Sequence, residues 1–594
     1  VEISIIRLYL AQINSTVGDF KGNHELIACH IEKARSAGAD IVVFPELCIT
    51  GYPPEDLLLK SSFIDENIKY VKRIKKLTSN IIAIVGFVNK SRDGIYNSAA
   101  VIYNNQIKYV YNKQFLSNCS FFDEERYFKK GSENFAFKIA DALVEINISD
   151  DIFHMMKVEV PPAISSGVEL LINISASPYH TEKIKKRIDI LSKIAIKNNV
   201  NMACLNMVGG QDELVFDGNS LIINNKGKVI AHAKPFAEDV IIYDFKITRL
   251  KSSISTSKEH HDREKAELPE NHRQLSVIDL KYHPKNKNDI EEKFNHPISI
   301  NNNSGRIENL PFCPEEEILG ALVLGTRDYV RKNKFKEVVI ALSGGIDSAL
   351  TVAIATLALG RDNINTVMMP SLYTSTESIR DSENLCRNLG INYVTVPIWP
   401  IYESYLKSLT SILKDDEINI TKENIQARIR GNIIMAFSNE YNWLVLSTGN
   451  KSELSVGYCT LYGDMAGGFS PIKDVYKTMV YRISKFINKK YSDVIPENII
   501  TKVPSAELKP DQKDEDKLPP YEILDPILKA YLEDNLDYPS IVKMGFEEKV
   551  VRNVINMVDS SEYKRRQSSP GIKITPLSPA GKDRRYPITN SYKL

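Results

Sequence analysis

Residues 343–348 read Ser-Gly-Gly-Ile-Asp-Ser. A turn of this composition can cradle pyrophosphate. Its glycines let backbone N–H groups approach a ligand closely, the hydroxyls of Ser343 and Ser348 donate, and Asp347 can hold a magnesium ion. It is not the GxxxxGK loop that grips a nucleotide to be cut at its γ-phosphate. The plain alternative is an ordinary Gly-rich turn. More charged residues follow it. Asp347 and Glu453 can together bind magnesium on a triphosphate, and Lys473 and Lys477 can neutralise a leaving pyrophosphate. In Glu423–Arg430, Asn424 and Arg428 stand one helical turn apart, on one face. Singly, each is a solvated surface charge; gathered behind a phosphate loop, they favour a site.

The elements around the turn suit that role. Val338–Leu342 is an apolar, β-branched strand, and Ala349–Leu359 is apolar except for two threonines, as in a buried helix. The helix N-terminus adds positive dipole at the turn. Strand–helix alternation from about Cys313 predicts a doubly wound parallel sheet, with helices beyond Tyr521. In residues 1–250, Ala39–Glu46, Ile81–Val88, Ala99–Tyr103 and Leu170–Ile174 read as buried strands, and Asn23–Ala37 and Thr181–Asn198 as amphipathic helices. Residues 251–310 are rich in Ser, Lys, Glu, His and Asn and read as a polar linker. The expected division is 1–250, a linker at 251–310, and 311–594.

Composition narrows the chemistry. A chain of 594 residues is too long for one core. A formal net charge of +1 gives no global pull toward nucleic acid or acidic membranes. No apolar run reaches the length of a membrane span, and the first residues enter a strand pattern without a signal-peptide layout. Seven cysteines without CxxC pairs fit reduced thiols, and a cytoplasmic protein is expected. All ten histidines lie between His24 and His296. The C-terminal half therefore has no histidine base of its own, while magnesium held by carboxylates and phosphates stays open.

The Ser-Gly-Gly-x-Asp-Ser loop resembles that of the ATP pyrophosphatases. Together with Met369–Ser375, Glu423–Arg430, Ser447–Thr478, Pro504–Leu508 and Tyr563–Gln567, it resembles the synthetase domain of NAD synthetases, an adenine nucleotide alpha hydrolase-like fold. The resemblance implies that ATP and Mg2+ are used to adenylate the carboxylate of deamido-NAD, after which ammonia displaces AMP to give NAD. It implies ATP contacts at Leu342, Ser343, Gly344, Gly345, Ile346, Asp347, Ser348, Ala349 and Thr448, and deamido-NAD contacts at Asn424, Glu453 and Lys564.

Residues 1–250 resemble the glutaminase domain of the longer NAD synthetases through Phe44-Pro45-Glu46, Phe122–Phe128, Ser175–His180 and Gly209–Gly218. This implies a nitrilase-like α-β-β-α sandwich that releases ammonia from glutamine and passes it through a tunnel. Glu46 matches the base, Lys113 the charge stabiliser, Glu124 a supporting carboxylate, and Ser177 and Lys183 glutamine contacts. The nucleophile departs. The family reads Ile-Cys-Glu-Asp, where this chain reads Ile148-Ser149-Asp150-Asp151. Cys119 falls where a tyrosine lines the glutamine pocket, and Phe153 replaces a tryptophan. Departures clustered around one pocket read as natural erosion, whereas a designed knockout would change one residue. The resemblance thus implies an NAD synthetase with weak or lost glutaminase activity, using free ammonia, and a homo-oligomer. The rivals are a glutamine-dependent enzyme with a rescued or engineered nucleophile at Ser149 or Cys119, another ATP pyrophosphatase such as one acting on tRNA, and a non-catalytic nucleotide-binding scaffold.

Overall fold

The computed structural model describes residues 2–118, 121–139, 142–154, 167–249, 275–282, 284, 313–413, 419–579, 581 and 583–591. The chain divides into two compact units. The first is Val1–Pro178, Glu182–Gly209 and Phe216–Leu310; the second is Tyr179–Thr181, Gly210–Val215 and Pro311–Leu594.

The first unit holds two sheets. From edge to edge, one runs Asp239–Arg249, Glu2–Gln12, Ile41–Val43, Ile82–Lys90, Ile95–Tyr103 and Gln106–Asn112. The other runs Val229–His232, Leu221–Ile223, Asn201–Asn206, Leu170–Ser175, Ala142–Ile148, Asn134–Ile139 and Leu275–Asp279. The period-2 alternation of strand side chains explains the layering. Along the first strand, Ile6, Leu8 and Leu10 enter a core shared with Phe135, Phe137, Ile146 and Ile172 of the other sheet. Tyr9 and Ala11 face the opposite way and pack with Ile27, Ile31, Val71 and Ile74 from the helices Phe20–Ser36 and Ser61–Lys75. Leu171 and Met202, on the outer face of the second sheet, pack with Leu191 and Ile194 of the helix Lys183–Asn198. The layers are helix, sheet, sheet, helix, as in a nitrilase-like sandwich.

The second unit is built on a four-stranded sheet in the order Asn392–Thr395, Ile364–Met368, Val338–Leu342, Leu444–Leu446. Every pairing in it is parallel. Val339, Val367 and Val445 pack with Ile425, Ile429 and Ile434 of the helix Ile420–Tyr441. Val338, Ile340 and Leu342 are buried too, and alternation aims them at the other face. A separate helical cluster joins Leu524, Ile527 and Leu528 to Val551, Val554 and Ile555.

Two details differ from the expected division. Within the segment read as a polar linker, Leu275–Asp279 pairs in parallel with Asn134–Ile139. Just after it, the buried Tyr282 donates its hydroxyl to Asp40 at 2.8 Å. A five-residue strand is too short for its alternation to show against polar neighbours. Residues 210–215 fall in the second unit, because its side chains and backbone satisfy theirs. Gly210 N donates to Asp328 at 2.7 Å, Lys332 donates to Gly210 O at 2.8 Å, and Lys573 N donates to Glu213 O at 2.9 Å. No helix among the described residues is long and apolar enough to cross a membrane.

Candidate functional site

The phosphate loop leaves the strand Val338–Leu342 and turns directly into the helix Ile346–Leu359. Gly344 makes the turn at φ +79°, and a Cβ there would lie 2.5 Å from the Ser378 carbonyl oxygen. Only glycine fits that conformation and that approach. Ser348 closes the loop from inside, donating to Gly345 O at 2.9 Å and meeting the Ser343 hydroxyl at 3.2 Å.

Beside this loop opens a cavity of about 320 Å³. Leu342, Ser343, Gly344, Gly345, Ile346, Asp347, Ser348 and Thr448 all line it, as do Glu453 and Lys477. Ala349 does not; it is fully buried in the helix. The Lys477 ammonium sits between two carboxylates, 2.5 Å from Asp347 and 3.0 Å from Glu453. Burial works against its charge, but the two carboxylates outweigh burial and hold its pKa above the ordinary lysine value. Burial pushes Glu453 up to about 7, against the pull of Lys477. Asn450 organises the group. Its side-chain oxygen caps the helix Lys451–Val456 by accepting from Glu453 N at 3.0 Å, and its amide donates to Asp347 at 2.9 Å. Asn450 was not singled out in the sequence, although an Asn directly before a helix that carries a candidate ligand is a readable capping signal.

Other expected residues lie off the cavity. Lys473 points away, donating to Glu213 at 3.0 Å and to Ser569 O at 2.8 Å. Asn424 accepts from the Thr460 hydroxyl at 2.8 Å, and Arg428, one turn along, donates to Leu461 O at 3.2 Å. Lys564 donates to Gly457 O and Cys459 O at 2.7 and 2.9 Å. Neither Asn424 nor Lys564 lines the cavity, although Lys564 holds the carbonyl of Cys459, which does. Burial lifts Asp464 to about 6, while backbone donors and Lys564 oppose the rise. Lys502, Glu507, Asp514 and Arg430 line the cavity without having been read as site residues.

In the first unit, Lys113 donates to Glu46 at 2.9 Å and to Glu124 at 3.0 Å. Asn97 donates to the same two carboxylates at 2.7 and 3.3 Å, and Ala176 N donates to the other Glu46 oxygen at 2.8 Å. All three charged side chains are buried. Burial raises the Glu46 pKa, opposed chiefly by the Lys113 charge. For Lys113 burial is outweighed by Glu46, Glu124 and Asp150, which keep the ammonium protonated. Gly86 permits the packing, since a Cβ there would lie 2.3 Å from Pro45 O, next to Glu46. Ser149 ends the strand Ala142–Ile148 in the left-handed region, at φ +46°, and its N–H donates to Ile174 O at 2.9 Å. A non-glycine residue held there at a strand end is a strained elbow. Ser177 N donates to Asn206 at 2.8 Å, and Lys183 donates to the Pro178 carbonyl. Cys119 lies outside the described residues.

Comparison with known proteins gives the arrangement a family. Residues 318–568 match the NAD synthase family model and residues 7–254 the carbon-nitrogen hydrolase model. A glutamine-dependent NAD(+) synthetase of Thermotoga maritima is 46% identical over 595 residues, covering 99% of each chain. The chain belongs to the glutamine-dependent NAD(+) synthetase family. It is thus a carbon–nitrogen ligase. The Aquifex aeolicus member of the family is 43% identical, covering 99% of this chain and all of its own. The solved structure of the Acinetobacter baumannii member, in complex with adenosine diphosphate, is 36% identical with a TM-score of 0.71 and covers 98% of each chain.

Proposed function

We propose that the chain makes NAD from deamido-NAD, ATP and ammonia, and that its N-terminal half, residues 1–250, hydrolyses glutamine weakly or not at all. The dinucleotide carboxylate attacks the α-phosphorus of ATP, and the bond to the β-phosphate breaks, releasing pyrophosphate. Ammonia then attacks the acyl carbon, and AMP leaves with the oxygen that was the carboxylate's. A free carboxylate resists ammonia, and adenylation converts it into an acyl group with a good leaving group.

The observation that carries this reading is the convergence of the Ser343–Ser348 loop with Asp347, Glu453 and Lys477 on one cavity. Backbone amides and the Ser343 and Ser348 hydroxyls bind phosphate oxygens, Thr448 contacts the nucleotide, and Lys477 neutralises charge as pyrophosphate leaves. Asn424, Glu453 and Lys564 serve the dinucleotide side, and Lys564 holds the Cys459 carbonyl at the cavity's edge. Magnesium fits here. Asp347 and Glu453 are hard oxygen donors already converging on a cation, and a metal held by one or two carboxylates takes its other ligands from phosphate and water. Bound there, it would neutralise the triphosphate. By family likeness the enzyme is also a homo-oligomer.

The loss of glutaminase activity rests on Ser149. A thiol titrates near ~8.5 and is readily activated. A serine hydroxyl is far less acidic and needs a strong, well-placed base. Glu46 is a carboxylate, and even with burial raising its pKa it is far less basic than the alkoxide it would have to generate. A second reading, glutamine use through a rescued nucleophile, is favoured by the intact Glu46–Lys113–Glu124 cluster. Steady-state NAD synthesis with ammonium or glutamine as the only nitrogen donor separates the two. Ammonium alone should support turnover; comparable rates with glutamine would overturn the loss.

A further inference from the structure

Lys473 and Lys477 together look, in sequence, like the two cations that receive pyrophosphate, but the structure turns Lys473 toward Glu213 and Ser569. A different lysine occupies the cavity. Lys502 follows the short helix Glu497–Thr501 and lines the cavity. Its ammonium donates to Glu507 at 2.7 Å, to the Ser378 hydroxyl at 2.5 Å and to the Ser375 hydroxyl at 3.2 Å. Ser378 lies against the phosphate loop: a Cβ built on Gly344 would be 2.8 Å from the Ser378 Cβ. The Lys502 charge is therefore one side chain away from the turn of the cradle.

We infer that Lys502 is the second pyrophosphate-binding cation of the synthetase site, parked on Glu507 until the triphosphate arrives. Three features support a lysine that moves. Its side chain is 28% exposed, against 3% for Lys477, so it is not locked in the wall. Its counter-ion is not stranded when it leaves, because Glu507 still accepts from the Ser375 and Ser378 hydroxyls at 3.0 and 2.8 Å and from Ser375 N at 3.3 Å. A triphosphate also carries more negative charge than one carboxylate, so the ammonium gains by exchanging partners. No proton changes hands; Lys502 stays an ammonium, trades Glu507 for β- and γ-phosphate oxygens, and holds them as the α–β bond breaks.

The assignment rests on the reading that ATP phosphates lie in the cradle, and one experiment separates the two. Binding of inorganic pyrophosphate with magnesium, and of AMP, is measured by calorimetry on the full chain and on K502M, K502R and E507Q. K502M should weaken pyrophosphate binding about tenfold or more, the size of one charge-assisted hydrogen bond, and leave AMP binding nearly unchanged. K502R should recover most of the loss. E507Q, which breaks the same ion pair but frees the lysine, should bind pyrophosphate at least as tightly as the wild type. Equal losses in K502M and E507Q would make Lys502 only a pin between two loops and overturn the inference, as would unchanged binding in K502M. If K502M does not fold, E507Q decides alone: weaker pyrophosphate binding sinks the assignment. A wild type that binds neither ligand would overturn both the assignment and the site reading.

Discussion

The proposed chemistry puts single residues to the test at two places. At Ser149 the elbow is present and the buried Glu46–Lys113–Glu124 cluster is formed. Ser149→Cys should then raise glutamine-supported NAD synthesis above the wild-type level while ammonia-supported synthesis stays the same; no gain would mean that the wider pocket has eroded too. At the synthetase cavity Asp347 touches both Asn450 and Lys477. Asp347→Ala should cut ammonia-supported turnover roughly a hundredfold or more, as when a preorganised electrostatic group is lost. Asp347 was legible because it belongs to a contiguous turn, whose geometry follows from local sequence. Lys473 and Lys502 were not. A lysine's long side chain takes its direction from tertiary partners, here Glu213 for one and Glu507 for the other, hundreds of residues away in the first case.

Elements carry these residues, and their strain and burial are testable. The cradle depends on Gly344 and much less on Gly345, where an added Cβ would meet only the Ser343 hydroxyl oxygen, at 3.4 Å. Gly344→Ala should raise the KM for ATP roughly tenfold, in line with the ~1–3 kcal/mol of forcing a side chain into left-handed backbone; Gly345→Ala should do far less. The strand Ala142–Ile148 hides a different liability. Glu145 on it is buried, and one of its oxygens has no hydrogen-bond partner among the described residues. Burial and the nearby Asp151 raise Glu145 from 4.5 to about 8. Burial raises Asp151 from 3.8 to about 6, against Lys113 and its hydrogen-bond donors. Both carboxyls keep protons in the folded chain that the unfolded chain has lost. Their stabilisation is therefore complete at acid pH, and it fades as pH rises through about 6 and then about 8. Glu145→Gln should melt a few degrees above the wild type at pH 8.5, the order expected for roughly 1 kcal/mol in a unit of this size, and near the wild type at pH 5. Thermal unfolding followed across pH checks this. The expected helices Asn23–Ala37 and Thr181–Asn198 form as Phe20–Ser36 and Lys183–Asn198. Their long apolar stripes were readable. The strand expected over Ala39–Glu46 shrinks to Ile41–Val43, because the chain turns to present Glu46 to Lys113.

On the scale of the whole molecule, each half folds as a unit with its own core and its own cluster of charged residues. The parallel sheet was legible from strand–helix alternation. The sandwich was legible mainly through motif likeness, since its two sheets join strands as far apart in sequence as Glu2–Gln12 and Asp239–Arg249. In the proposed reaction the synthetase half activates a carboxylate by adenylation before nitrogen enters. Deamido-NAD labelled with 18O in its carboxylate, incubated with ATP, magnesium and ammonium, tests it directly by mass spectrometry of the products. Adenylation should leave one labelled oxygen in AMP, none in pyrophosphate, and one in the amide of NAD. AMP free of label, or ADP and phosphate in place of AMP and pyrophosphate, would contradict it.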